Sequence, residues 1–438
     1  MHHWDTNYGH FGPTQEALNK HRHLVRDLTL IGCFRGDDMC PLPALRHLKI
    51  YYYSREMDVF SEREIFNWDL AEASPLLDRL LLSNLDMDRG SCQRLLEHPH
   101  LRNLELSRTG ITPDAGQAIW DACKNLETLS MSCISFKGKR PSIPTDTVFT
   151  RLHTLRLEEV RDLSHSQQLS IVLRCPILES FKLKTYSFEA RMMIKHPVQK
   201  NHWIQLDNLN ILLNPTDGEW ASILERIGNC FENVPCLHLN YGEVGRQSLK
   251  ALGSYFSNLV DLRFTFGNSS VILDVLCSCP MLEILHVPDI FANDIAEGGP
   301  WVCQQLRELK IRIRVKETEQ DLQPLVFERL STLVRLTTLD MGCWIGSYQG
   351  GVLGFRLDCG LRQLASLQEL RTLVFDGGFT ARPRQQLEMK DVEWMIDNWK
   401  RLKGIYGHLN KDQEVEAQLK DHLGNRGILH GEYKEQRA

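Results

Sequence analysis

No run of about 18 apolar residues occurs in this 438-residue chain, which excludes a membrane-spanning helix and leaves no membrane partner to expect. Charge of one sign is also missing: 51 Lys and Arg stand against 56 Asp and Glu, for a formal net charge of −5. Nucleic acid selects a basic surface and is therefore not an expected partner. The first thirteen residues carry His2, His3, Trp4 and His10 but no apolar signal core. A cleaved secretory leader is not expected, and an intracellular setting, cytoplasmic or nuclear, follows. The 13 cysteines are odd in number and never spaced C-x-x-C, which argues for buried thiols over a disulfide framework or a zinc site. A Gly-rich phosphate loop, G-x-S-x-G and H-E-x-x-H are all absent, so the chain is read as no enzyme, with no catalytic residue, no cofactor and no metal. Cys277-Ser278-Cys279 with His286 could be drawn as metal ligands, but Pro280 beside them marks the end of a repeated helix.

What the chain does hold is a triplet of apolar positions, L-x-x-L-x-L. It starts at Val25, Leu45, Leu77, Leu101, Leu126, Leu152, Leu178, Leu206, Val234, Leu259, Leu282, Leu306, Leu336, Leu370 and Leu402. Leu fills both of the first two positions in eleven of these fifteen copies, and from Leu77 to Leu306 the copies recur every 23 to 28 residues. That interval holds one strand and one return helix. Amphipathic stretches between the triplets predict helices over 88–98, 114–125, 164–174, 219–231, 245–257, 269–277, 321–333 and 360–367. Neither element can bury its apolar face alone. The expected fold is α/β: a leucine-rich-repeat solenoid, a horseshoe of about 15 repeats with a concave parallel β-sheet and helices on the convex side. Its parts are an N-terminal segment and partial first repeat over 1–24, the solenoid over 25–408, and a C-terminal helical cap and tail over 409–438.

Three segments carry a family resemblance: His21 to Leu30 (HRHLVRDLTL) with Cys33, the Cys-Pro-x-Leu-Glu copies at Cys175 to Glu179 and Cys279 to Glu283, and the stretch 391–410, DVEWMIDNWKRLKGIYGHLN. They resemble the ribonuclease-inhibitor-like repeats of F-box proteins, and in particular the F-box/leucine-rich-repeat-like proteins of fungi. The resemblance spans nearly the whole chain. It implies a substrate-recognition component of an SCF-type ubiquitin ligase, with a Skp1-like adaptor as partner only if an F-box is supplied upstream. No F-box is visible. Residues 14–23 read as the return helix of a repeat whose strand is absent, so the chain is expected to begin inside the array. A stand-alone regulator or inhibitor of a small GTPase or nuclease is the alternative. Either way the expected protein is a monomeric interaction scaffold.

Side chains alternate along a strand, so residues two, four and six places after each triplet start point into the concave groove. Over the sixth to twelfth repeats this gives Arg156, Lys182, Lys184, Asn210, His238, Asn240, Arg263, His286, Lys310 and Arg312, against Glu158, Asp261 and Glu308. The excess of cations is read as a basic stripe for an acidic or phosphorylated peptide. An ordinary solvated face of mixed charge is the other reading. With both side chains expected to be exposed, Arg263→Glu with Lys310→Glu should leave the fold intact. A second candidate is the C-terminal rim, where the period lengthens to 30, 34 and 32 residues and the loops carry Trp344, Tyr348, Phe379, Arg382 and Arg384, residue types that anchor interfaces. Tyr51, Tyr52 and Tyr53 form a third candidate.

Overall fold

The computed structural model describes residues 3–6, 19–31, 41–52, 71, 73–112, 114–115, 118–137, 148–163, 165–172, 174–184, 208–212, 216–227, 235–253, 255–342, 351, 353–375 and 385–431. Contacts divide the chain into two compact units, Met1–Ile211 and Leu212–Ala438.

In the first unit each triplet becomes a short strand. In chain order the strands are β1 (His3–Thr6), β2 (Asp27–Ile31), β3 (His47–Tyr51), β4 (Arg79–Ser83), β5 (Asp86–Met87), β6 (Asn103–Ser107), β7 (Gly110–Ile111), β8 (Thr128–Ser132), β9 (Ser135–Phe136), β10 (Thr154–Glu158) and β11 (Ser180–Lys184). β1, β2, β3, β4, β6, β8, β10 and β11 pair successively in parallel. The short β5, β7 and β9 form a second parallel sheet. Register aligns the second Leu of each triplet into one column, Leu48, Leu80, Leu104, Leu129 and Leu155, every member at most 1% exposed. Each contributes about 1.5–3 kcal/mol by leaving water, and the column is why the L-x-x-L-x-L pattern specifies this sheet.

One element overturns the reading of the N-terminus. A strand does precede the first triplet: β1 pairs in parallel with β2, His3 opposite Asp27 and Thr6 opposite Leu30. Backbone hydrogen bonding, which needs no Leu, extends the sheet past the point where the apolar pattern stops.

After β4, β6, β8 and β10 the chain leaves the sheet through Asn84, Arg108, Cys133 and Glu159, all with positive φ between 50° and 64°. A left-handed non-glycine residue costs about 1–2 kcal/mol. Here the turn sets an extra rung between repeats. The N–H of Asn84 donates to Ser107, that of Arg108 to Ser132 and that of Cys133 to Glu158, each at 2.8 Å.

The second unit repeats the scheme with β13 (Cys236–Val244), β14 (Asp261–Gly267), β15 (Ile284–Phe291), β16 (Glu308–Arg314), β17 (Thr338–Asp340), β18 (Thr372–Val374), β19 (Gly404–Tyr406) and β20 (Leu429–Gly431), paired in parallel in that order. β12 (Asn208–Leu212) lies where the two units meet in sequence. β20 carries the sheet beyond the last triplet, after the helix Gln413–Asn425.

Most expected return helices form, several of them shorter than their amphipathic stretch: Arg89–Leu96, Ala118–Ala122, His165–Val172, Asp217–Ile227, Arg246–Leu252, Ser269–Ser278 and Gln323–Ser331. The stretch expected over 360–367 is instead a 3₁₀ helix, Leu361–Ser366. Caps fix the starts. Asp88 accepts from the Ser91 N–H at 2.7 Å and Asn268 from the Val271 N–H at 3.1 Å, which places the one Asn-x-Ser sequon at a helix N-terminus.

Asp217 reaches across a repeat. Its carboxylate accepts from the backbone N–H groups of Gly245, Gln247 and Ser248 at 2.8, 3.0 and 2.9 Å, capping the following helix instead of its own. Burial works to raise this carboxyl, but the Ser248, Gln247 and Gly245 donors outweigh it and hold it below the ordinary range. Asp217→Ala should therefore cost about 1–2 kcal/mol, read as a lower urea midpoint with loss of amide protection at residues 245–248. Retained protection there would show that the cap is idle.

The irregular late repeats are held by buried polar side chains that bond backbone. Gln385 accepts from the Phe355 N–H at 3.1 Å and donates to the Leu353 carbonyl at 2.9 Å. Asp391, fully buried, accepts from Leu357 and Glu388 at 2.9 Å each. Loops that lack strand pairing must satisfy their backbone groups in some such way.

Candidate functional site

The side of each sheet away from the helices is built from the residues between the buried Leu positions. In the second unit this face is densely charged, and the charges are paired. Arg263 donates to both oxygens of Asp261, at 2.9 and 2.8 Å, and His238 Nε2 lies 3.3 Å from the same carboxylate. His286 Nε2 is 2.6 Å from Glu308. Lys310 is 3.4 Å from Asp340, and Arg312 and Arg314 both reach Asp289. In the first unit Lys182 likewise pairs with Glu158 at 2.8 Å.

These pairings correct the expected basic stripe. His238, Arg263, His286, Lys310 and Arg312 each face a carboxylate; Asp289 falls outside the spacing rule, and Asp340 is the fourth-place residue of the repeat after the twelfth. His286 and Arg312 are moreover only 6% exposed, too buried to present charge to a partner. The reason for Arg312 is a register shift between His286 and Asp289 of β15, after which Asp289 lies opposite Arg312. Strict alternation fails at that step. Lys184 lies in β11 opposite Glu158, and its side chain, like Asn240 and Asn210, is outside the described set. The whole rim group, Trp344, Tyr348, Phe379, Arg382 and Arg384, lies outside the described residues, as does Tyr53.

Electrostatics of the second face follow from burial and pairing together. Burial works to raise the Asp261 carboxyl, but His238 and Arg263 outweigh it and hold it below its ordinary value. The hydrogen bond from His286 likewise holds Glu308 low against burial. Asp340 differs, because burial raises it and Lys310 offsets that only in part. Groups with depressed folded values contribute stability that is complete above the carboxylate range and is lost as pH falls through those values. Asp340 has the opposite sign: its contribution is present at low pH and is lost as pH rises through its folded value. Asp261 and Glu308 thus favour the folded state above the carboxylate range, and Asp340 opposes them. Removing Asp261 removes one acid-labile contribution, so between about pH 5 and pH 3 the urea midpoint of Asp261→Asn should fall less with acid than that of the parent; an equal fall would remove Asp261 from the account.

The first unit is arranged differently. A groove of about 410 Å³ crosses its open face, lined by side chains of β2, β3, β4, β6, β8 and β10. One row of that lining runs strand to strand in register as Lys49, Leu81, Glu105, Ser130 and Arg156. Lys49, Glu105 and Arg156 are exposed, and none of the three forms an ion pair among the described residues. Of the eight expected cationic positions, Arg156 alone lines this groove. Lys49 and Glu105 were missed although the signal was present, since the same spacing rule applied from Val25 onward names both.

Buried thiols complete the chemistry. Burial pushes Cys92, Cys279 and Cys303 up to about 12, and Cys123 and Cys175 move the same way. Thiols so displaced are not nucleophiles at neutral pH. No helix among the described residues is long and apolar enough to cross a membrane.

Parallel strands in register, buried Leu columns and return helices define the class as an α/β leucine-rich-repeat array, and this rests on the chain's own geometry. No family model matches the sequence, and no curated protein matches it. Similar solved structures include an internalin from Listeria monocytogenes, 13% identical over 97% of this chain and 91% of that one, with a TM-score of 0.38. A leucine-rich-repeat protein from Leptospira interrogans is 13% identical over 87% and 89%, TM-score 0.43. The yeast complex of Rad7 and Elc1 gives 15% identity over 77% and 78%, TM-score 0.33.

Proposed function

We propose that this chain is a non-catalytic protein-interaction scaffold that holds a segment of a protein partner on the open face of the unit Met1–Ile211. The observation that carries it is the groove across β2 to β10, whose row Lys49, Glu105 and Arg156 forms no ion pair among the described residues, although His47 and Arg79 of the same lining pair with Asp27 and Asp78; the corresponding charges of the other unit are paired. A partner there need not break existing ion pairs at those positions. Peptides selected from a random display library on the full chain should lose binding to Ser130→Trp, which fills the groove, while the variant keeps its melting temperature. Selected peptides that all bind Ser130→Trp unchanged would place recognition elsewhere.

The finer reading is a monomeric substrate-recognition component of an SCF-type ubiquitin ligase, acting in cytoplasm or nucleus, with an upstream F-box docking a Skp1-like adaptor. It is supported by the F-box-type repeat segments around Asp27, Cys175, Cys279 and Asp391. The full-length gene product should co-purify with a Skp1-like adaptor. Failure to do so, together with tight stoichiometric inhibition of a small GTPase or nuclease, would favour the stand-alone regulator.

A further inference from the structure

The row Lys49, Leu81, Glu105, Ser130, Arg156 places its three charges on alternate strands. Neighbouring strands lie about 4.8 Å apart, so the charges repeat as cation, anion, cation at intervals of roughly 9.6 Å, too far for contact with one another. Leu81 and Ser130 fill the intervals with a half-exposed apolar side chain and a hydroxyl.

That interval discriminates between backbone conformations of an occupant lying across the strands. A β-strand returns a side chain to the same face every second residue, at about 6.7 Å. An α-helix returns a side chain to the same face once per turn, at about 5.4 Å. A polyproline-II segment has three residues per turn and a rise of about 3.1 Å, so residues i, i+3 and i+6 share a face at about 9.3 Å intervals. That matches the row. Complementary charge then fixes the order: acid at i against Lys49, base at i+3 against Glu105, acid at i+6 against Arg156.

We propose that the groove of the first unit recognises a polyproline-II segment of a partner protein carrying acid, base and acid at three-residue intervals, with Pro or small apolar residues between them packing on Leu81 and Ser130. This rests on the docking function proposed above and names its ligand class. Such a segment is already extended before it binds, which lowers the ordering cost.

Fluorescence polarisation on the full chain tests it with three labelled peptides: EPPRPPE, the charge-reversed RPPEPPR, and EPRPEPP, which has the composition of the first in two-residue spacing. EPPRPPE should bind about tenfold more tightly than either other peptide. General attraction to a chain of net charge −5 would favour RPPEPPR, so the expected order runs against it. The triple variant Lys49→Glu, Glu105→Lys, Arg156→Glu changes only exposed side chains and should reverse the order of EPPRPPE and RPPEPPR. Equal binding of the three peptides, no binding of EPPRPPE at millimolar concentration, or an unreversed order in the triple variant each overturns the proposal. If the display-selected peptides still lose binding to Ser130→Trp in those cases, the charge pattern alone has failed; if they do not, the docking function has failed with it.

Discussion

Leu262→Asp is expected to unfold the ladder around β14. Leu262 is 1% exposed and sits in register between Leu237 and Leu285, in a column that continues through Leu309, Leu339 and Leu373. Truncating a buried Leu costs about 2–5 kcal/mol by itself. An unpaired carboxylate in the column adds several more, so the sum reaches the scale of a whole domain's stability, about 5–15 kcal/mol. Hydrogen exchange should show protection lost across residues 235–342. A variant melting within about 2 °C of the parent would mean that the column does not hold the unit together.

Arg263→Glu with Lys310→Glu is also expected to destabilise, though less than Leu262→Asp, which reverses what the spacing rule alone implies. Neither cation is a free surface charge. Lys310 is 12% exposed against Asp340 at 6%, and Arg263 is 35% exposed against Asp261 at 10%. Reversal leaves two buried carboxylates beside new ones. Breaking one side of a buried pair costs about 3–5 kcal/mol. Lys310 carries most of that, since solvent screens the half-exposed Arg263, and proton uptake by Asp340, already raised by burial, limits the total. Arg156→Glu is the control: exposed and unpaired among the described residues, it should stay within about 0.5 kcal/mol of the parent. Urea midpoints of the two variants separate the cases, and equal midpoints would show that the ion pairs contribute nothing. Lys310→Met with Asp340→Asn should cost much less than the reversal, because removing both charges leaves none stranded and the Asn oxygen can still accept from the Gly342 N–H.

The candidate site was legible only in part. Arg156 follows from strand alternation, and Lys49 and Glu105 follow from the same rule in earlier repeats. Spacing puts Lys310 and Asp340 at the same position of consecutive repeats, but it does not indicate that they are buried together, or that Asp261 holds both His238 and Arg263. Those contacts depend on which side chains neighbouring strands bring within about 5 Å. Arg312 shows a second limit, since a register shift one strand away turned an expected groove residue into a buried partner of Asp289.

The sequence by itself determined the repeat, the strand positions and the buried columns. These depend on a local apolar period, and burial of Leu is non-directional and tolerant of small shifts in geometry. Only the tertiary structure decided that a strand, β1, pairs ahead of the first triplet, that Asp217 caps a helix of the next repeat, and which of the expected groove charges are consumed in pairs. Hydrogen bonds and ion pairs fall off within an ångström or two of misplacement, so they depend on register between segments more than 20 residues apart, which no periodicity in one strand encodes.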